Sequence, residues 1–173
     1  LIASKKTCKP FEKIESLILT GQSVFKSDID AFKEHFSKNS KLVIGFSLNE
    51  TGSIMSYTVE RETKIPKHCI PIGYPNKFKE VLLLDNEGNK IGENEIGEIA
   101  VRSKYLSPGY WQNPELTNQK FLPDPEGGDK RIYMTGDLAK LSPDGYYEYV
   151  GRKDFQVKIR GFRVETEAID AAL

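Results

Sequence analysis

Residues 14–51 read IESLILTGQSVFKSDIDAFKEHFSKNSKLVIGFSLNET, and their apolar spacing decides the fold class. Ile14 to Thr20 is a short apolar run ended by Gly21, the form of a buried parallel strand. From Asp28 to Phe36 the residues Ile29, Phe32, His35 and Phe36 recur at helical spacing, with Lys26, Asp30, Lys33 and Glu34 opposite. Ser27 or Asp28 is the expected cap. Leu42-Val43-Ile44-Gly45 then reads as a second buried strand. Strand, helix, strand is a βαβ unit with a right-handed crossover. Ligands in such sheets bind beyond the carboxyl ends of the strands. Gly21 and the loop expected at Phe46–Thr51 both fall there.

After about residue 65 the pattern changes. Ile65-Pro66, Ile70-Pro71 and Tyr74-Pro75 punctuate an extended connection. Short strands are expected at Glu80–Leu84, Glu98–Arg102, Tyr133-Met134, Ala139–Leu141 and Tyr146–Val150. Turns are expected at Asp85-Asn86-Glu87-Gly88-Asn89 and Ser142-Pro143-Asp144-Gly145. This reads as a small, mostly antiparallel β-barrel. Glu115–Phe121 is a short helix with Pro114 at its start, and another helix opens at Thr166.

The chemistry concentrates near the end. Tyr133-Met134-Thr135-Gly136-Asp137 places a carboxylate after a tight Thr-Gly turn. Gly151-Arg152-Lys153-Asp154-Phe155-Gln156-Val157-Lys158-Ile159-Arg160-Gly161 and the following Arg163 put arginines around a short polar hinge. A carboxylate has about four lone-pair sites and can accept two hydroxyls at once. Guanidinium forks match phosphate or carboxylate. The set suits a ligand with vicinal hydroxyls and phosphate; a surface hairpin laced with ordinary ion pairs is the plainer alternative.

These two blocks resemble core motifs of the adenylate-forming enzymes, specifically the adenylation domains of nonribosomal peptide synthetases and the D-alanine–carrier protein ligases. Gly97-Glu98-Ile99-Ala100-Val101 through Ser107-Pro108-Gly109-Tyr110-Trp111 to Phe121 is similar to a third block, and Gly45-Phe46-Ser47-Leu48-Asn49-Glu50-Thr51 to a fourth. The resemblance implies an α/β remnant, a βαβ of a parallel sheet, over residues 1–70 as the C-terminal part of the large AMP-binding subdomain. It implies the β-barrel subdomain over 71–150. Residues 151–173 are then the hinge and beginning of a small α+β C-terminal subdomain. The family's phosphate loop is expected before residue 1 and its small-domain lysine beyond Leu173, so the chain alone is expected to be inactive.

The resemblance also implies roles. Asp137 binds both ribose hydroxyls of ATP or AMP, and Arg152 reaches ribose or phosphate. Arg163 contacts phosphate, Asp154 is the hinge, and Gly161 lies beside the tunnel for a phosphopantetheine thiol on a partner carrier domain. Phe46 packs on the adenine with Gly21 on its other side, and Asn49 meets a phosphate oxygen. Glu50 helps hold Mg2+, whose oxygen preference one protein carboxylate can serve; a solvated loop glutamate is the alternative. Ile18, Thr20, Gly45, Ser53 and Ile54 line the amino-acid or other carboxylate substrate. Ser47-Leu48-Asn49 departs from the family's Gly-Pro-Thr.

Lys and Arg together number 25, as do Asp and Glu, and no run of like charge suggests nucleic acid or a membrane as partner. Cys8 and Cys69 lack metal-site spacing and are expected to be reduced thiols in a cytoplasmic protein. His35 and His68 have no evident triad partners. An acyl-CoA or aryl-CoA synthetase of the same superfamily, and a degenerate domain kept for assembly, stay open as alternatives to amino-acid activation.

Overall fold

The computed structural model describes residues 11–66 and 70–153, with the strand backbones of 157–159 and 162–164. The first sheet is built from β1 (Ser16–Thr20), β2 (Lys41–Leu48), β3 (Gly52–Val59) and β4 (Tyr74–Pro75), hydrogen-bonded in that order. β1 and β2 run parallel, with Leu17 opposite Leu42 and Leu19 opposite Ile44. Helix α1 (Lys26–His35) connects them. Its Ile29 and Phe32, with Phe36 beyond its end, pack against Leu17, Leu19, Leu42, Ile44 and Val59. The expected βαβ unit is present.

Its details differ from the sequence reading in three ways. The helix starts at Lys26, and Asp28, expected as a cap, sits in its first turn, where its Oδ2 accepts the Phe25 N–H at 2.8 Å. β1 is not buried on both faces: α1 covers the Leu17 and Leu19 side, and Ile18 is 65% exposed on the other. β2 continues through Leu48, so the loop expected at Phe46–Thr51 shrinks to Asn49-Glu50-Thr51, and β3 returns antiparallel. β3 lacks simple alternation because Ile54 and Met55 are adjacent and both buried, beside a register shift at Phe46/Ser47.

Tyr74-Pro75, expected as part of a connection, forms β4 and pairs with Met55 and Ser56. The preceding Gly73 has φ +103°, and a Cβ there would stand 2.0 Å from the Ser56 carbonyl oxygen. Only glycine fits that crossing.

The second sheet is antiparallel, in the order β5 (Glu80–Leu84), β6 (Ile96–Ser103), β8 (Arg131–Leu141), β7 (Phe121–Pro123), with β9 (Tyr147–Arg152) also on β8. β5 and β9 are three strand spacings apart, about 14 Å in a flat sheet. Yet the Tyr147 hydroxyl donates to the Val81 carbonyl at 3.4 Å. The sheet therefore curls as a barrel does. Its core joins Leu83, Ile99, Val101, Ala139 and Tyr147 to Phe46, Ile54 and Met55 of the first sheet. Burying each of its Leu, Ile, Val, Phe and Met side chains contributes about 1.5–3 kcal/mol.

Helix α2 (Pro114–Lys120) starts at Pro114 as expected, with the Leu116 N–H donating to Asn113 Oδ1 at 3.0 Å. β10 (Val157–Ile159) and β11 (Phe162–Val164) form an antiparallel pair. Among the described residues no helix is long and apolar enough to cross a membrane.

Candidate nucleotide site

The segment read as a tight Thr-Gly turn is a bulge inside one continuous strand. Glu98 pairs with Leu138 and Ala100 with Met134, so Thr135, Gly136 and Asp137 all stand opposite Ile99. A glycine at φ +75° makes this possible. Polar contacts fasten the bulge. Thr135 Oγ1 donates to the Ile99 carbonyl at 2.7 Å, the Gly136 N–H to Glu98 Oε1 at 2.9 Å, and the Asp137 N–H to Thr135 Oγ1 at 3.0 Å.

The bulge sets Asp137 opposite Arg152 of β9. Arg152 Nη1 donates to Asp137 Oδ1 at 3.1 Å and Nη2 to the Thr135 carbonyl at 3.3 Å. The Tyr149 hydroxyl donates to the same Oδ1 at 3.2 Å. Asp137 is only 1% exposed beneath these groups. The Tyr149 ring lies 6.4 Å from that of Phe46, tilted by 46°. An aromatic wall, a carboxylate and a guanidinium thus adjoin where β2, β8 and β9 meet.

Glu50 lies in the β2–β3 turn and is 6% exposed, so it is not a solvated loop glutamate. Its Oε1 accepts the Tyr110 hydroxyl at 2.9 Å, and Tyr110 lies 3.1 Å from the Tyr133 hydroxyl. Burial, then the Tyr110 hydrogen bond and the Glu50 charge, push the Tyr133 phenol well above its ordinary value. Lys79 Nζ donates to the Thr51 carbonyl at 2.6 Å, and burial lowers its pKa. Among the described residues no group of three or more His, Cys, Asp or Glu could hold a metal ion.

The remaining expected site residues spread along the first sheet. Ile18 faces Val43 and Thr20 faces Gly45 in the β1–β2 register. Thr20 Oγ1 lies 2.8 Å from Ser47 Oγ, which pairs across β3 with Ser53. Paired residues share a face, so Ile18, Thr20, Gly45 and Ser53 line one side of the sheet. Ile54, fully buried, points into the core instead. Gly21 (φ +86°) and Asn49 are exposed at strand ends. Asp154 and Gly161 lie outside the described residues; Arg163 is described only as backbone, opposite Lys158 in β11.

Sequence reasoning missed Tyr149, Tyr110, and the roles of Glu98 and Lys153. Lys153 Nζ reaches Glu98 Oε2 at 3.2 Å, and its N–H donates to the Gly136 carbonyl at 2.8 Å. The periodicity of Tyr147-Glu148-Tyr149 was the only signal, and it does not reveal which face meets Asp137.

A family model described as AMP-binding enzyme matches residues 2–111. The chain belongs to that family. Gramicidin S synthase 1 of Brevibacillus brevis is 35% identical over 160 residues, which is 92% of this chain and 14% of that protein. Among solved structures, IdnL1 superimposes with a TM-score of 0.81 at 29% identity, covering 90% of this chain and 32% of that one. Holo-PA1221, a nonribosomal peptide synthetase protein with adenylation and peptidyl carrier domains bound to a vinylsulfonamide inhibitor, gives 0.80 at 30%, covering 91% and 28%. The chain thus spans less than a third of the length of each of these relatives.

Proposed function

We propose that this chain supplies nucleotide-holding elements of an adenylation domain that activates an amino acid with ATP and hands it to a carrier-protein thiol. In the reaction the substrate carboxylate oxygen bonds to the α-phosphorus of ATP and the bond to pyrophosphate breaks. The carrier's phosphopantetheine thiol then attacks the acyl carbonyl and AMP leaves. The observation that carries this reading is the meeting of Asp137, Arg152 and Tyr149 beside Phe46, in a chain of the AMP-binding family.

The residues divide the work by chemistry. Asp137 takes the ribose hydroxyls, which replace the Tyr149 and Arg152 donors now on Oδ1. Arg152, once released, meets phosphate or ribose oxygen, and Phe46 packs on the adenine. The open side of Ile18, Thr20, Gly45 and Ser53 belongs to the substrate pocket. Arg163, Asp154 and Gly161 belong to the swivelling part and the thiol tunnel. The donor at Glu50 suits magnesium: a single turn carboxylate, oxygen only, is enough for an ion that keeps waters and substrate phosphates. Magnesium, when bound, neutralises phosphate charge. Catalysis here is positioning and charge stabilisation.

The test is amino-acid-dependent ATP–pyrophosphate exchange by the full-length protein. Charged hydrogen bonds contribute about 1.5–3 kcal/mol each, so Asp137→Ala is expected to weaken ATP use by at least about tenfold. Unchanged exchange refutes the assignment. The 173-residue chain alone is expected to give none.

A further inference from the structure

We infer that Glu98 is a positioning residue for the ribose-binding carboxylate, acting through the bulge rather than on the ligand; this rests on the reading of Asp137 given above. Glu98 is a charged side chain on a central strand, and only 6% of it is exposed. Burying a carboxylate there is costly unless it is hydrogen-bonded and paired. Both conditions are met by groups of the site. Oε1 accepts the Gly136 N–H, the amide at the apex of the bulge, and Oε2 meets Lys153 Nζ. The N–H of Lys153, next in sequence to Arg152, closes the loop on the Gly136 carbonyl.

The two polar backbone groups of Gly136, which belong to the successive peptide planes that meet at its Cα, are therefore each held, the N–H by Glu98 and the carbonyl by Lys153. Gly136 adopts φ +75°, a region in which glycine has ample freedom to move. Without the Glu98 acceptor its N–H would be a buried donor with no strand partner, since the β6 register skips this position. The peptide would then rotate to find another acceptor, and the next residue to turn with it is Asp137. The carboxylate that must face two adjacent hydroxyls is aimed by a side chain that never touches them.

Distance, rather than charge, is what this role requires. Glu98→Asp withdraws the acceptor by one methylene, whereas Glu98→Gln keeps an oxygen at the same reach. Lys153→Met removes only the ion pair. The readout is the ratio of affinities for ATP and 2′-deoxy-ATP, measured by equilibrium binding to the full-length protein. Loss of a charged hydrogen bond corresponds to about tenfold or more, so the wild type should prefer ATP by about that factor. Glu98→Asp should bring the ratio close to one, while Glu98→Gln and Lys153→Met retain it. A wild-type ratio in Glu98→Asp, or an equal loss in Glu98→Gln, overturns the inference. Asp137→Ala separates the two claims: if it leaves the ratio untouched, the ribose assignment fails and takes the Glu98 role with it.

Discussion

Arg152→Met, Asp137→Asn and the double variant test whether the site is also a stability element. The Arg152 side chain is 10% exposed and that of Asp137 2%. Removing one partner of a buried pair costs about 3–5 kcal/mol because the other charge stays desolvated. Water reaches the outer end of Arg152, which places Arg152→Met at the lower end, about 3 kcal/mol. Methionine keeps the aliphatic stem, so little packing is lost. For a chain of this length the cost lowers Tm by roughly 6–12 °C. The double variant removes both charges, and the two single costs should overshoot its cost by about 1.5–3 kcal/mol. Urea unfolding is best followed by far-UV circular dichroism. The sole tryptophan, Trp111, is 88% exposed when folded, so its fluorescence has little to report. A coupling energy below about 0.5 kcal/mol would refute the idea that this pair is desolvated and mutually dependent.

Gly73→Ala should be among the most damaging single changes, since a Cβ at φ +103° meets Ser56 backbone at 2.0 Å; a loss of about 3 kcal/mol or more is expected, measurable as lost soluble yield and a lower Tm. The raised Tyr133 phenol predicts an alkaline limit. A group whose folded pKa lies above its unfolded value of 10.0 adds stability that is intact below pH 10 and lost as pH rises toward the folded value. Burial raises the Tyr147 phenol as well. Spectrophotometric titration of the eight tyrosines should therefore show a late class that includes both and ionises only as the protein unfolds, and Tyr133→Phe should diminish that late step.

The legible parts of the fold were those where one simple period holds. Leu17, Leu19, Ile29, Phe32, Leu42 and Ile44 announce the βαβ core because each faces a single neighbour layer. Glu80–Leu84 matches β5 to the residue, bounded by its turn. β3 stayed hidden because Ile54 and Met55 break alternation, and serines occupy its open face. Thr135-Gly136 misled for a different reason: a left-handed glycine suits a turn and a bulge equally, and only the pairing with Ile99's neighbours separates them. Within the site, Asp137 and Arg152 were legible as groups suited to a ligand, but not as partners of each other; strand register sets them opposite. Glu98 was not. In a chain that is 29% charged, one more glutamate in a strand reads as solvent-facing until its burial is seen.

Tyr147 has implications for the order in which the chain can be assembled. Its carbonyl accepts the Ile72 N–H, its own N–H donates to the Gly73 carbonyl, and its hydroxyl reaches Val81. Two segments made earlier, Ile72-Gly73 and β5, are gathered by one residue that a ribosome adds only after both. Until then the newly made strands wait with edges unsealed, and such waiting favours wrong partners. Vectorial synthesis therefore makes the stretch around residue 147 the clasp of the necklace, and premature termination just before it leaves two half-built layers with no means of closing.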